Sequence, residues 1–199
     1  LIEPADEQRV SVRMGTSTTR ELPPEVMGTD PILELVDASI WTFTLDRLGG
    51  EFLGPAMLTD QMAGVPIEVP VEGYWVKFPA DAGPVSYPVF DDFLRRTVPA
   101  EYMGTDDIGG NEVLRYRQTI EPTNLAALYR SNMSQIFADD KTGFLMYQGT
   151  RDWLVEPESG MVVGIHEDLD LRWETREGER LRTLLRFVGG VDEIGRAHV

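Results

Sequence analysis

Apolar and polar residues alternate along several short stretches of this chain. Trp41, Phe43 and Leu45 are separated by Thr42 and Thr44. A period of two is typical of a β-strand with one buried face. The strand candidates are residues 41–45, 65–71, 74–78, 85–90, 101–105, 112–120, 144–149, 152–155, 161–165, 168–174 and 181–188. The sequence therefore predicts a β-rich fold, and the prolines within residues 65–71 place that stretch at a sheet edge.

An acidic residue precedes a glycine by four positions between many of these stretches. An acidic side chain accepts backbone N–H groups at the start of a turn, and glycine takes the positive-φ position that closes it. Loops of this kind join the strands of hairpins. We predict an antiparallel meander or curved sheet of hairpins, with positive φ or a bulge at the glycine of five pairs: Asp46/Gly50, Asp106/Gly110, Asp139/Gly143, Glu156/Gly160 and Glu174/Gly178.

One stretch departs from the period of two. Residues 122–124 offer a helix cap, and Leu125, Leu128 and Tyr129 repeat at helical spacing. We predict a short helix over residues 125–135. The expected fold class is therefore mainly β, with one short helix.

The charge and composition of the chain exclude several partners. Asp and Glu number 34 against 18 Lys and Arg, which gives a formal net charge of −16. Such a chain repels nucleic-acid phosphates. The absence of cysteine excludes disulfides, a thiolate nucleophile and a Cys-based zinc site. No glycine-rich phosphate loop follows a strand. We expect no nucleic-acid partner and no cofactor.

Candidate catalytic and metal-binding groups are few. His166 is the only histidine outside the last residues of the chain, so a Ser-His-Asp triad or a two-His metal site lacks support. Asp91–Asp92 and Asp106–Asp107 could be the paired carboxylates of glycoside hydrolysis, but both lie at strand ends, where a turn role is favoured. Asp168 and Asp170 share a strand face and could hold calcium, although no glycine-containing calcium loop surrounds them. The sequence favours no catalytic residue and no metal site.

Four aromatic side chains are the candidates for a ligand-binding surface. Trp41, Phe43, Trp75 and Phe78 each lie on a predicted strand whose neighbouring residues alternate. A concave apolar groove lined by them would bind an acyl chain. In a closed sandwich, the same residues would fill a dry core. Both alternatives stay open at the level of sequence.

The chain divides into three parts. Residues 1–30 are polar and are expected to be extended or poorly ordered. Residues 31–192 form the β-rich domain, in which residues 43–53 and 153–163 resemble each other, either as duplicated β units or as two unrelated hairpins. Residues 193–199 are expected to be a non-native tail, because residues 194–199 back-translate to a common sequencing adapter. No apolar run reaches the ~18 residues of a membrane span.

Four motifs in order carry a resemblance to a known family. They are the hairpin of residues 42–55, residues 78–91 (FPADAGPVSYPVFD), residues 99–120, which begin PAEYMGTD and end GNEVLRYRQTI, and residues 153–163 (WLVEPESGMVV). On these motifs the chain resembles the actinobacterial PorA-type family, a family of unknown function that carries the name porin, over residues 30–190. It departs from the family at Ser159, where threonine is usual, and matches it poorly over residues 125–144.

The resemblance implies an extracytoplasmic domain of a membrane-anchored envelope protein, bracketed by membrane helices outside this fragment. It implies no catalytic residue. The expected function is non-catalytic: the binding or assembly of envelope lipids or lipoglycans, or contact with another envelope protein. One alternative is a pore component, as the family name suggests, although charged outward faces argue against it. The other is a glycan-processing enzyme that uses the paired carboxylates.

Overall fold

The computed structural model describes residues 2–3, 6–19, 35–60, 64–129, 135–138 and 141–192. The chain divides into two compact units, Leu1–Val71 and Glu72–Val199. Each unit contains one antiparallel sheet, and a short helix belongs to the second. The predicted fold class, mainly β with antiparallel hairpins and one short helix, is confirmed.

A five-stranded sheet forms the first unit. Its strands are neighbours in chain order: β1 (Ile2–Glu3), β2 (Arg9–Thr19), β3 (Leu35–Asp46), β4 (Ala56–Thr59) and β5 (Ile67–Val69). The predicted alternation along β3 is confirmed, because Trp41, Phe43 and Leu45 are buried while Thr42 is exposed. β5 lies at the edge of the sheet, where the prolines beside it are tolerated.

A seven-stranded sheet forms the second unit. Its strands are β6 (Tyr87–Asp91), β7 (Arg96–Ile108), β8 (Asn111–Asn124), β9 (Gln135–Ala138), β10 (Lys141–Val155), β11 (Val162–Glu174) and β12 (Arg180–Asp192). They lie in the order β12-β11-β10-β8-β7-β6, and β9 pairs with the beginning of β10. The pairings between these strands are antiparallel, as expected of successive hairpins.

The helix α1 (Leu125–Tyr129) follows β8 directly. Asn124 caps it, because its side-chain oxygen accepts the backbone N–H of Ala127 at 3.2 Å. The predicted end of the helix at Gln135 is wrong, because Gln135 begins β9 and pairs with Phe144. None of the described helical residues forms a segment with the length and hydrophobicity that crossing a bilayer requires.

The hairpin turns confirm most of the glycine prediction. Gly50, Gly110, Gly160 and Gly178 have positive φ, between 72° and 87°. Gly143 lies inside β10, opposite Ile136, so the prediction is wrong there. The reason is that β10 begins two residues before this glycine, and its pairing with β9 runs through it without a bulge.

The predicted strand at residues 74–78 is wrong as well. Tyr74 and Lys77 make only isolated bridges, to Val89 and Met161. The backbone N–H of Tyr74 donates to the carbonyl oxygen of Pro88 at 2.9 Å, and Tyr74 accepts the N–H of Phe90 at 2.6 Å. We call residues 73–75 the Tyr74 segment. It lies along the outer edge of β6.

Candidate functional site

A buried arginine lies on one face of the seven-stranded sheet. Along β10, Tyr147, Arg151, Trp153 and Val155 are all buried and belong to one row of alternating residues. We call this the inner face. The side chain of Arg151 is only 6% exposed, in a row that is otherwise apolar or aromatic. A buried cation requires opposite charges and hydrogen-bond acceptors around it.

Three carboxylates share the guanidinium group of Arg151. Nη1 lies 2.5 Å from Asp91 Oδ2, Nε lies 2.5 Å from Glu167 Oε1, and Nη2 lies 3.5 Å from Asp92 Oδ1. Glu167 lies beside Arg151 because the two residues are paired across β10 and β11. Asp91 ends β6, and Asp92 begins the turn that follows. We call these four residues and Tyr147 the Arg151 network.

Asp91 anchors the turn after β6. Its Oδ1 accepts the backbone N–H of Leu94 at 2.7 Å, and its Oδ2 accepts the hydroxyl of Tyr147 at 3.0 Å. Leu94 and Tyr147 belong to one apolar cluster with residues of β8, α1 and β11. The carboxylate therefore joins the turn to β10, and the turn helps to cover the inner face.

Burial is the largest influence on the pKa values of Asp91, Tyr147 and Arg151. Removal from water raises the pKa of Asp91, and this shift is opposed by Arg151, Leu94 N–H and Tyr147. Burial also raises the pKa of Tyr147, so its hydroxyl stays protonated and donates to Asp91. At Arg151 burial disfavours the charged form, but the surrounding carboxylates, Asp91 foremost, raise the pKa, so the guanidinium stays charged.

The acidic pairs lie at the ends of strands, beside turns. Asp91 is fully buried, and both of its oxygens already accept hydrogen bonds. Asp92 is 22% exposed in its side chain and lies beside the same guanidinium. In the β7–β8 turn, Asp107 Oδ1 accepts the N–H of Gly110 at 3.0 Å. Two carboxylates that act on a glycosidic bond must both reach it, which the Asp91–Asp92 arrangement does not provide.

Arginines bind the acidic residues on the opposite, outer face of the sheet. Asp168 accepts from Arg186, and Asp170 accepts from Arg172 at 2.8 Å and from Arg180 at 2.6 Å. Guanidinium groups thus lie where a calcium ion would need these two carboxylates. In the part of the chain that the structure describes, no group of three or more Asp, Glu or His side chains is placed to hold a metal ion.

An open depression lies on the polar face of the first-unit sheet. Its volume is about 320 Å³, at the lower end of the range for small-molecule sites. Residues of β2, β3 and β4 and one proline line it: Ser11, Val12, Arg13, Ile40, Thr42, Met57, Thr59 and Pro66. We call it the first-unit depression. Hydroxyl and apolar side chains both line it, together with one arginine.

The four aromatic ligand candidates all lie in the interior. Trp41 and Phe43 are 2% and 3% exposed in the first unit, and Trp75 and Phe78 are 5% and 0% exposed in the second. Phe78 stacks on Tyr116, with ring centroids 5.0 Å apart. None of the four lines the first-unit depression. Their burial is the arrangement expected of a closed core, and ligand binding by them stays a prediction.

Sequence reasoning missed Arg151 and Tyr147. A signal was available, because Arg151 interrupts an alternating row whose members Tyr147, Trp153 and Val155 are apolar or aromatic. A charge in such a row calls for a buried partner. The partner could not be found in this way, since Asp91 lies 60 residues earlier in the chain.

Comparisons with curated proteins and with family models give different results. A search of curated proteins finds no match to this chain. The family model described as Porin PorA matches residues 1–198. The match therefore spans both units and includes the four motifs on which the resemblance was based. Because it covers the whole described structure, the chain belongs to the Porin PorA family, whose name points to a cell-envelope or membrane association.

Proposed function

We propose that this chain is a non-catalytic, extracytoplasmic domain of a membrane-anchored envelope protein, and that it binds or helps to assemble envelope lipids or lipoglycans. Membership of the Porin PorA family supports the envelope context. The observation that carries the ligand class is the first-unit depression, with its mixture of hydroxyl and apolar side chains.

Strand register arranges the two kinds of side chain in a checkerboard. Ile40 is paired with Thr59, and the next residue of the same face, Thr42, is paired with Met57. Arg13 is paired with Thr42 from the other side. Hydroxyl groups donate to and accept from sugar and headgroup oxygens, whereas apolar side chains pack against an acyl chain. A glycolipid or lipoglycan presents both kinds of surface side by side.

The charged clusters of the second unit support a role without catalysis. The Arg151 network holds Asp91 in the interior, and the outer-face carboxylates Asp168 and Asp170 are bound by arginines. Catalytic carboxylates have to contact the reacting atoms. The carboxylates of these clusters are instead engaged in contacts that hold the sheet together.

A matched pair of glutamate substitutions tests the proposal. Met57 lines the depression and is 39% exposed, whereas Leu53 lies outside it in the same unit and is 43% exposed. Flotation with vesicles that contain extracted envelope lipoglycan measures the binding of wild type, Met57→Glu and Leu53→Glu. We expect about a tenfold loss for Met57→Glu, equivalent to ~1.4 kcal/mol, and little change for Leu53→Glu. Equal loss in both variants, or no binding of wild type, would contradict the proposal.

The family name supports a second candidate, a component of a pore. Recordings from planar bilayers distinguish the two functions. Stepwise currents after addition of the purified protein would favour the pore. Binding to lipoglycan vesicles without any current would favour the lipid-handling function.

A further inference from the structure

We propose that two copies of this chain associate through strand β12 and form a twofold-symmetric dimer with one continuous antiparallel sheet. In this dimer, Val188 lies on the twofold axis, opposite Val188 of the second copy. The partner is thus a second copy of the same chain. Four features of β12 lead to this arrangement: its open edge, its exposed apolar side chains, its self-complementary sequence and its regular register.

β12 is a long edge strand. It has 13 residues, and within the described ranges its only strand neighbour is β11. The outward N–H and C=O groups of such an edge are a template for another strand. The opposite edge of the sheet differs, because β6 has only five residues and the Tyr74 segment is hydrogen-bonded along it. Among the described residues, one edge of the sheet is covered and the other is open.

Large apolar side chains are concentrated on this open edge. Leu184, Phe187, Val188 and Val191 are between 38% and 68% exposed. Among the described residues of the second unit they make up half of the exposed large apolar side chains, the remainder being Val85, Met103, Leu128 and Met161. Exposed apolar groups on an unpaired edge mark either an interface or a site of aggregation.

The sequence around Val188 is self-complementary in an antiparallel pairing. With Val188 on the axis, the side chains of residues 185–187 each meet a glycine or an aliphatic side chain of the second copy. No two like charges lie directly opposite each other, which would destabilise the pairing. The opposed pairs are Phe187 with Gly189, Arg186 with Gly190 and Leu185 with Val191.

The two glycines of β12, Gly189 and Gly190, have different surroundings within one copy. A Cβ at Gly190 would lie 2.3 Å from His166 Cδ2 and 2.4 Å from the carbonyl oxygen of Ile165, so contacts within one copy already require this glycine. At Gly189, the nearest atoms belong to the half-exposed ring of Phe187, 3.2 Å away. The ring of Phe187 of the same copy therefore covers Gly189, and in the dimer this side chain moves away and the Phe187 ring of the second copy takes its place.

The pairing of β12 with β11 favours a dimer contact at residues 185–192 over one nearer the beginning of β12. Residues 185–192 pair with β11 without a shift, whereas both irregularities lie nearer the beginning of β12. A pairing centred on Arg186 would set two arginines against each other and bring the bulged Leu184 to within two residues of the axis. Two of the three arginines of β12, Arg180 and Arg186, do not shield the edge, because they donate to Asp170 and Asp168 of β11. The third, Arg182, lies outside residues 185–191.

Cysteine cross-linking tests the register. The chain has no cysteine, so a single introduced thiol reports on its own position. Val188→Cys should form a disulfide-linked dimer under mild oxidation, because directly opposed residues on antiparallel strands lie close to disulfide distance. Val85→Cys is the matched control, since Val85 is 55% exposed but precedes β6 at the far edge of the sheet. Equal cross-linking of both variants, or none at Val188→Cys, would overturn the proposal.

Sedimentation tests the association itself. Val188 is paired with Asp168 in its own sheet, so Val188→Lys gains a favourable neighbour within one copy while setting two lysines together on the axis. We expect wild type and Val85→Lys to sediment as dimers at concentrations where Val188→Lys is monomeric, with circular dichroism showing that all three are folded. A monomeric wild type, or a Val188→Lys that dimerises as strongly as wild type, would overturn the proposal.

Discussion

Gly160 and Gly178 both close hairpin turns, but their surroundings differ. Their φ angles are 72° and 87°. A Cβ at Gly160 would lie 2.2 Å from the carbonyl oxygen of Phe78 and 2.3 Å from that of Pro79, whereas the nearest atom at Gly178 is Glu174 Oε1 at 3.9 Å. Gly160 therefore provides both a left-handed backbone and the space for a neighbouring chain segment.

Alanine substitutions separate these two effects. Gly178→Ala should lower the free energy of unfolding by about 1 kcal/mol, the cost of a left-handed conformation for a residue with a Cβ. Gly160→Ala should lower it by clearly more, because two backbone oxygens must also move. Urea unfolding followed by tryptophan fluorescence measures both. Equal losses of unfolding free energy in the two variants would show that crowding at Gly160 does not add to the cost.

Arg151 and Arg117 provide a comparison between a buried and a surface ion pair. Arg151→Met leaves Asp91, Asp92 and Glu167 without their shared cation and should cost about 3–5 kcal/mol, the scale for breaking a buried pair. Arg117 binds Asp152 but is 42% exposed, so Arg117→Met should cost no more than about 1 kcal/mol. Chemical denaturation of the two variants gives both values. A similar cost for both would mean that the network contributes little to stability.

The acid-to-glycine spacing predicted the turns better than it predicted the donors and acceptors within them. At Asp46 and Glu156, the predicted acid does accept backbone N–H groups in the turn. At the β7–β8 turn Asp106 accepts only the N–H of the next residue, and Asp107 accepts that of Gly110. In the β11–β12 turn the hydroxyl of Thr175 accepts the N–H of Glu179. Neighbouring polar residues can satisfy the same N–H groups, so the spacing fixes the place of a turn but not each contact in it.

At the scale of elements, the turn between β10 and β11 depends on a charge. The carboxylate of Glu156 accepts the hydroxyl of Ser159, the N–H of Ser159 at 2.7 Å and the N–H of Glu158 at 3.0 Å. These bonds, the Ser159 hydroxyl first, lower the pKa of Glu156 below its ordinary value of 4.5. Because the folded pKa is the lower one, the unfolded chain takes up the proton first as the pH falls. The stabilisation is complete above the ordinary pKa and is lost as the pH falls through the folded pKa.

Glu156→Gln removes this dependence. The variant should be less stable than wild type at neutral pH, and the difference between the two should shrink as the pH falls below 4.5. Thermal midpoints of both proteins across a pH series measure it. A difference that stays constant down to the acid transition would show that the charge of Glu156 does not stabilise the turn.

Elements were predictable where one face of a strand is buried along its length. The alternation of β3 and the exposed edge position of β5 follow from local sequence alone. The end of α1 was not predictable, because Gln135 joins β9 through pairing with Phe144 rather than through any preference of its own. The Arg151 network was out of reach for the same reason: its members come from β6 and the turn after it, from β10 and from β11, and only the completed sheet brings them together.

At the scale of the whole molecule, the second unit contains its own set of strand pairings. The pairings described for the seven-stranded sheet join residues within Glu72–Val199, and so do the contacts of the Arg151 network. We therefore predict that residues 72–199 fold when expressed alone. Far-ultraviolet circular dichroism should show β structure, and urea should unfold the fragment in one cooperative transition. A fragment without a cooperative transition would contradict this independence.

The Tyr74 segment has a consequence for how large an assembly can become. Sheets with two free sides can add copies at both and propagate into filaments, whereas a sheet with one free side offers a single place for growth. Because Tyr74 is hydrogen-bonded to Pro88 and Phe90 along β6, the proposed contact through β12 would use the end of the order β12-β11-β10-β8-β7-β6 that is left open among the described residues. Association through the seven-stranded sheet would then stop at two copies. If the Tyr74 segment were released from β6, that edge could also accept another copy, and the dimer could grow into a filament.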